Sequence, residues 1–584
     1  MPRQSKINQK PEAYHGAKHV EMQLEQIETK YTSDIYAPNM AAAFALYLVK
    51  NAGKIDVEEL TEFLKETLAD KDLCDFIKKQ IGDHWADFRR LIAVFSIDWL
   101  RKYLLTHQPL FAEASIGTAE TICDLALAIL QPDNNETVCD ICCGTGVFMT
   151  QMVGNGCKAS FAGRDISELA VKVSKIRAHV LGIQADIIQQ NMLDINAKQD
   201  DPYDKIFIDP PYGVRLQHLA NIFNMHPETL LPAFPKLKGA NSSELVWAAR
   251  ALSMLNDDGR AVMVVTNGAL SNLTDAPIRQ YLVDRGIIEC IIALPERLQS
   301  YTPISLSMLV LNKNGNNSRV KMIDATELFE RRSRVNRMEV YHINAVVDSL
   351  IDNGQNHKDV PISKIAENNY LLSVKRYTMP EVDIPNGRKL GELCSSISRG
   401  VSLSREEFHD KKAQDEKGIP YLTIANIQDG VIDDNLPTLK DNKQRFGKYL
   451  IRSGDLVLTK VMAPCKVTVV AEQHDRPILG TANFFIIKPN TELLNPYFLM
   501  AFLRSKKGMQ QLEQLATGTS VRTLGQAALE NMLVPVAPIK DQKTFAQDYR
   551  SNLEAIRQKR QTLDECLTDM NMAYDKFEKE MLSK

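Results

Sequence analysis

Asp209, Pro210, Pro211 and Tyr212 end a short apolar run in an unusual way. Proline donates no backbone hydrogen bond and fixes its own φ, so two in succession continue a buried strand poorly but stiffen a turn well. The stretch offers a carboxylate, backbone carbonyls without a neighbouring N–H, and an aromatic ring, in that order. Together these are paired hydrogen-bond acceptors beside a flat stacking face.

A second group lies upstream. In "VCDICCGTGVFM" (138–149), a strand runs through Asp140 into Gly144, Thr145 and Gly146 and then into a helix. Glycines at the end of a first strand let a backbone approach a ligand closely, where open α/β sheets bind nucleotides. The plainer reading is a tight strand-to-helix turn. The next apolar run ends at Asp165 in "GRDI", placed to accept from ribose hydroxyls, or else a surface carboxylate at a helix start. The third ends at Asn191, a polar side chain suited to reading an adenine ring. Three such strand ends in succession point to a nucleoside-bearing cofactor. The lack of G-x-x-x-x-G-K-[ST] argues against a nucleoside triphosphate. Cys139, Cys142, Cys143 and Cys157 form a C-x2-C with a neighbour, but no second pair or histidines accompany them, so no metal is expected.

The surrounding periodicities describe the elements that must carry these residues. Residues 20–108 repeat apolar positions at three- and four-residue spacing, as helices do. From about 115, short apolar runs at 136–144, 159–166, 185–191, 205–211, 259–266, 289–295 and 305–313 alternate with helical periods. This predicts a mainly parallel sheet covered by helices. The last two runs lie close enough to form an antiparallel hairpin at one edge. Beyond about 380 come short strands and turns, with a local basic excess across 388–540 while the remainder of the chain is acidic. The chain closes on a heptad seam of Tyr549, Leu553, Ile556, Arg560, Leu563, Leu567, Met570, Tyr574, Phe577 and Met581. It serves either to pack the helix on its own domain or to pair it with another.

At 584 residues, 44% hydrophobic and 24% charged, the composition is that of a globular protein of several domains. The net charge of −3 makes no case for nucleic acid over the whole chain, so any such footprint is local. The polar N-terminus has no apolar signal region, no run is long enough for a membrane span, and ten scattered cysteines fit reduced thiols. A cytoplasmic location is expected.

The pattern D-x-x-C-G-T-G-x-F followed by D-P-P-Y resembles the S-adenosylmethionine-dependent amino-methyltransferases of DNA, which modify adenine N6 or cytosine N4. The order of glycine motif, D-P-P-Y and basic segment is similar to the γ class of adenine-N6 enzymes. "AENNYLLSVKRY" (366–377) and the helical N-terminal region resemble type I restriction–modification methylation subunits. Residues 388–540 resemble one target-recognition half of a type I specificity subunit, carried by "KLGELCSSISRG", "IPYLTIANIQDGVI", "IRSGDLVLTK", "LATGTSVRTLG" and "MLVPVAPIKDQ". The heptad helix then matches that subunit's spacer.

The resemblance implies a Rossmann-like methyltransferase core, an α/β fold with a mainly parallel sheet. It implies a helical domain at 1–108, the catalytic domain at 109–380, an α+β target-recognition domain at 381–540 and a coiled-coil helix at 541–584. Asp209, Pro210, Pro211 and Tyr212 are the implied catalytic set. Thr118, Asp140, Gly144, Thr145, Gly146, Asp165 and Asn191 are the implied contacts of S-adenosylmethionine. The implied partner is double-stranded DNA, read as a split site by a homodimer joined through 541–584, with a separate nuclease or translocase subunit compatible with the family.

An exocyclic amine is a poor nucleophile because its lone pair is delocalised into the ring. Asp209 and the Pro210 carbonyl can each accept one N–H and free that lone pair, while Tyr212 stacks on a base rotated out of the duplex. The relatives more often carry Asn than Asp before the prolines; either supplies an acceptor oxygen. Ala119 stands where they usually have proline, and Tyr301 is the one ring placed to form a second face of the base pocket. The competing readings are cytosine-N4 methylation, RNA or protein amino-methylation, and a DNA-binding specificity protein without catalysis. About 110 residues precede the cofactor domain and read as helices, so no nuclease activity is expected in this chain.

Overall fold

The computed structural model describes residues 37–582, apart from 55–56, 108–116, 195–201, 214–243, 273–274, 300–301, 303, 334, 353, 381, 404–417, 434–435, 441–445, 463–464, 472–475 and 517–521. The described residues form two compact units that divide between Val374 and Lys375.

The first unit opens with four main helices, α1 (Ala37–Asn51), α2 (Leu60–Thr67), α3 (Lys71–Ile81) and α4 (Ile97–Thr106). Local chemistry sets their ends. The Asp70 side chain accepts from the Leu73 N–H to start α3, and Ser96 does the same for Trp99 at α4. Gly82, at φ +53°, closes α3. From Met40 to Val49 every residue of α1 is buried, as expected of a helix apolar on all sides.

A nine-stranded sheet follows: β1 (Thr137–Asp140), β2 (Ser160–Asp165), β3 (Ala185–Gln189), β4 (Tyr203–Ile208), β5 (Leu255–Thr266), β6 (Ile288–Ala293), β7 (Leu306–Asn312), β8 (Arg319–Asp324) and β9 (His357–Pro361). Its order is β3-β2-β1-β4-β5-β7-β6-β8-β9. The strands from β3 to β5 are all parallel, so seven apolar runs of the sequence become β1 to β7, the first five as a parallel block. The strand order reverses between β1 and β4, which opens a crevice beyond their C-terminal ends.

One expectation needs correction. β6 and β7 do pair antiparallel, but β7 inserts between β5 and β6 instead of forming an edge hairpin. The edge belongs to β8, parallel to β6, and to β9. β8 begins with alternation, Val320 and Met322 buried while Arg319 and Lys321 are not, and of β9 only Val360 is buried.

Helices α5 (Glu120–Leu130), α6 (Val147–Gly154), α7 (Glu168–Leu181) and α8 (Glu244–Met254) cover the sheet. α7 belongs to two cores. Val171 and Ala178 pack in the sheet's core with Phe148 and Phe207, while Val173, Ile176 and Val180 pack among the N-terminal helices with Phe44, Leu64 and Leu100. The N-terminal helices therefore have a core of their own, joined to the sheet's core through α7, and lie in one compact unit with the sheet, where the sequence suggested a separate domain.

The second unit is α+β. An antiparallel sheet joins Cys394–Arg399, Phe484–Pro489, Leu456–Thr459 and Val467–Val469. A smaller mixed sheet joins Thr438–Leu439, Ile419–Leu422, Ile478–Gly480 and Leu450–Ile451.

The long helix Ile539–Phe577 changes character along its length. Ala546 and Leu553 are buried, and Tyr549 packs beside Leu553 against Leu499, Met500 and Leu503. Arg560, the charged intruder in the heptad seam, donates to Gln428 at 2.7 Å and pairs with Asp429, in the turn of the hairpin Ile427–Gln428/Val431–Ile432. Beyond it, Leu563, Leu567, Met570, Tyr574 and Phe577 are each about half exposed. The seam thus packs on its own domain in its first half and lies open in its second. The side chain of Met581 is outside the described set.

Candidate active site at the ends of the parallel strands

β1 ends in Asp140, whose carboxylate caps the following turn by accepting the Cys142 N–H at 3.1 Å. Burial drives this carboxyl well above the usual carboxylate range, opposed by the Cys142 N–H and reinforced by nearby Asp165 and Asp209. The chain then turns through Gly144 (φ +50°) and Gly146 (φ +79°), conformations that favour glycine. A Cβ on Gly146 would sit 2.5 Å from Ser174 Oγ of α7, so this glycine serves the close approach of two helices.

Thr145 faces the same way. Its hydroxyl and carbonyl accept from the Arg177 guanidinium at 3.1 and 2.8 Å. Arg177 is fully buried and also donates to the Leu104 and His107 carbonyls at 3.1 and 2.6 Å. Burial lowers it to about 10, which leaves it protonated at neutral pH. It ties the glycine turn to the N-terminal helices, so Thr145 and Gly146 support the turn from behind and do not line the crevice.

The crevice itself is a cavity of about 1380 Å³. That exceeds the roughly 300–1,000 Å³ of a site for one small molecule. Asp140, Gly144, Asp165 and Asn191 line it together with Thr118, Asp209, Pro210, Pro211 and Tyr212. Asp165, at the end of β2, accepts the Gly144 and Ser167 N–H groups, each at 2.8 Å. Burial raises its pKa while those two donors oppose the shift. Asn191 accepts the Leu193 N–H through its side-chain oxygen at 3.1 Å.

Asp209 leaves β4 into a shell of donors. Thr118 Oγ1 donates to Oδ2 at 2.5 Å, Gln299 Nε2 donates to the same oxygen at 3.1 Å, and the Tyr212 hydroxyl donates to Oδ1. Burial pushes this carboxyl up, and the Thr118, Tyr212 and Gln299 donors oppose it. Thr118, read from sequence as a cofactor contact, therefore holds Asp209 while lining the cavity.

Several positions carry no sequence signal that singled them out. Gln299 is 4% exposed and lies 90 residues from Asp209. Glu244, buried at the start of α8, accepts the Thr266 N–H at 2.7 Å, the Thr266 hydroxyl at 3.0 Å and the Gly213 N–H at 3.3 Å. It anchors the turn just after Tyr212 to the end of β5. Asp72, Asp75, Phe76 and Lys79 of α3 line the cavity too, and α3 is joined to α7 through Asp72–Lys172 and through Lys175, 2.8 Å from Asp70. Thr302 lines the cavity, while Tyr301 falls outside the described residues. The Cys142 and Cys143 thiols are pushed well up by burial and by the neighbouring carboxylates, which keeps them protonated. Among the described residues no helix is long and apolar enough to cross a membrane.

Residues 114–383 match the family model described as N-6 DNA Methylase. The chain is 26% identical over 284 residues to the type I restriction enzyme MpnII methylase subunit of Mycoplasma pneumoniae, a match covering 44% of this chain and 51% of that protein. It is 22% identical over 315 residues to the HindI methylase subunit of Haemophilus influenzae, covering 50% of this chain and 70% of that one. The chain thus spans about half the length of the first of these relatives. A Methanocaldococcus jannaschii protein named for the specificity subunit of a type I restriction enzyme, MjaX, is 26% identical over 164 residues, 27% of this chain and 37% of its own length. Among solved structures, the type IIG restriction endonuclease BpuSI superposes with a TM-score of 0.50 at 11% identity, over 91% of this chain and 74% of that one. That likeness concerns the fold alone. Residues 114–383, which match the N-6 DNA Methylase model, contain the strand order, the glycine turn and the Asp209 turn that share this one crevice.

Proposed function

We propose that this chain methylates adenine N6 in double-stranded DNA at a specific sequence, with S-adenosylmethionine as methyl donor, as the modification enzyme of a restriction–modification system. The observation that carries the reading is that Asp209, Pro210, Pro211 and Tyr212 share one cavity with Asp140, Gly144, Asp165 and Asn191. The cavity has room for a nucleoside cofactor and an extruded base together, and the acidic residues that line it, Asp140, Asp165 and Asp209 at the strand ends among them, suit a cationic ligand.

Asp165 would hold the ribose, Asn191 the adenine edge, and the Gly144 turn admits the remainder of the cofactor. S-adenosylmethionine supplies an electrophilic methyl group on a sulfonium that leaves readily. The residues of this chain do the rest. Asp209 Oδ1 and the Pro210 carbonyl accept the two amino protons of the flipped base, so the nitrogen pyramidalises and presents its lone pair. The Tyr212 ring stacks on the base and keeps it out of the duplex. As the N–C bond forms, the nitrogen becomes acidic and its surplus proton leaves along these acceptors.

The second unit, from Lys375 onward, reads the DNA, and the open half of the long helix pairs two copies. The matched relatives are named as subunits of restriction enzymes, so a separate nuclease or translocase is a further proposed partner.

Sequencing of modified bases in DNA from cells expressing the chain tests all of this at once. N6-methyladenine in a split, symmetric sequence is expected, absent with Asp209→Ala although that variant still binds the same DNA. N4-methylcytosine would replace adenine as the target, and an unmodified genome would sink the reading.

A further inference from the structure

The Asp209 carboxylate has four lone-pair sites, and three of them are taken. Both sites on Oδ2 accept, one from Thr118 Oγ1 and one from Gln299 Nε2; one site on Oδ1 accepts from the Tyr212 hydroxyl. The Gln299 amide cannot turn over to change this. Its Oε1 accepts the Ala119 N–H at 3.0 Å, so a flip would set an NH₂ group against that N–H and an oxygen against Asp209. At 4% exposure, water does not replace either partner. Oδ2 is therefore met by a donor whose direction is locked, and the last acceptor site lies on Oδ1.

We infer that Gln299 is a positioning residue that makes aspartate, and not asparagine, the working residue at position 209. This rests on the methyltransferase reading above. An asparagine in this shell has two orientations. With its NH₂ in the place of Oδ2, two amide donors collide. With its oxygen there, Thr118 and Gln299 use both lone pairs, and an NH₂ group stands where the substrate amine needs an acceptor. An aspartate satisfies the locked donors on one oxygen and keeps the other for the amine. The family resemblance treats Asp and Asn as equivalent before the prolines; the shell around this one distinguishes them.

The same logic specifies a rescue. With glutamate at 299, one carboxylate oxygen still accepts the Ala119 N–H and the other accepts from the NH₂ of an asparagine at 209. That turns the asparagine oxygen toward Tyr212, in the place of Oδ1.

The test compares four full-length proteins, wild type, Asp209→Asn, Gln299→Glu and the double variant, by transfer of labelled methyl to DNA and by thermal unfolding. Asp209→Asn is expected to lose about a hundredfold or more in kcat, the order found when one aimed polar group is removed from a reacting centre. Gln299→Glu, which sets two carboxyl groups together, is expected to lower both Tm and kcat. The double variant is expected to recover at least about tenfold in kcat over Asp209→Asn, and to regain most of the Tm lost by Gln299→Glu. Full activity of Asp209→Asn overturns the inference, as does additivity of the two substitutions in Tm. If the wild type transfers no methyl, the functional reading fails, while the Tm coupling still decides the pairing of 209 with 299.

Discussion

In the proposed mechanism Asp209 must be ionised to accept a hydrogen bond from the amine on Oδ1, and its surroundings set the pH at which that form exists. Burial raises its pKa and the donors from Thr118, Tyr212 and Gln299 restrain the rise. The acceptor form is lost as pH falls through a value above that of a free aspartate, so kcat should decline on the acid side from there. Thr118→Val removes one restraining donor and should move that acid limb to higher pH, with cofactor affinity changed less than kcat. A pH profile of methyl transfer measures it, and an unmoved limb would show that Thr118 does not act through Asp209. At this scale the sequence exposed the residues that come in motifs and hid those that do not. Asp209 and Gly144 stand in recognisable strings, whereas Gln299 and Glu244 are single polar residues whose partners are far along the chain. Only folding brings them within hydrogen-bond reach.

Among the elements, α7 carries the most obligations, since its two faces serve two cores and its Arg177 holds the glycine turn. Ile176, fully buried among the N-terminal helices, tests the link. Ile176→Ala should destabilise the first unit by about 2–5 kcal/mol, measured by urea unfolding. Because α3 lines the cavity and packs through α7, cofactor affinity measured by calorimetry should fall alongside. Stability loss with unaltered affinity would separate the helices from the site. Strands β1 to β7 were legible because each carries a short apolar run with clear ends, buried in all but the edge strand β3. β8 and β9 were not, because charged residues interrupt β8 and the edge strand β9 holds a single buried residue, Val360, so both resemble loops in composition. The helices of the N-terminal region were legible as helices, but their union with the sheet was not: periodicity says which face is apolar, not which neighbour covers it.

For the whole molecule, the long helix sets the question of assembly. Its buried half, through Leu553, and its open half, from Leu563, follow one heptad pattern that the sequence could not divide. Arg560 marks the boundary because its ion pair with Asp429 fixes the helix to the domain at that turn. Leu567→Glu lies on the open half, so it should leave the fold intact and convert a dimer to monomers in analytical ultracentrifugation. An unchanged mass would place the pairing surface elsewhere.

In the proposed dimer the ion pair at Arg560 would also make the helix a ruler. From that fixed point to Phe577 is about 26 Å at about 1.5 Å per residue, or about 7–8 base pairs at about 3.4 Å each. If two copies pair antiparallel through this segment, as proposed, this length would set the separation of their reading heads, and so the run of unread bases between the halves of a split target. Removing one heptad between Arg560 and Phe577 preserves the seam and shortens the rod by about 10 Å. The modified sites should then lose about three base pairs from the gap while both half-sequences stay the same. A gap of unaltered length would show that something other than this rod measures the distance.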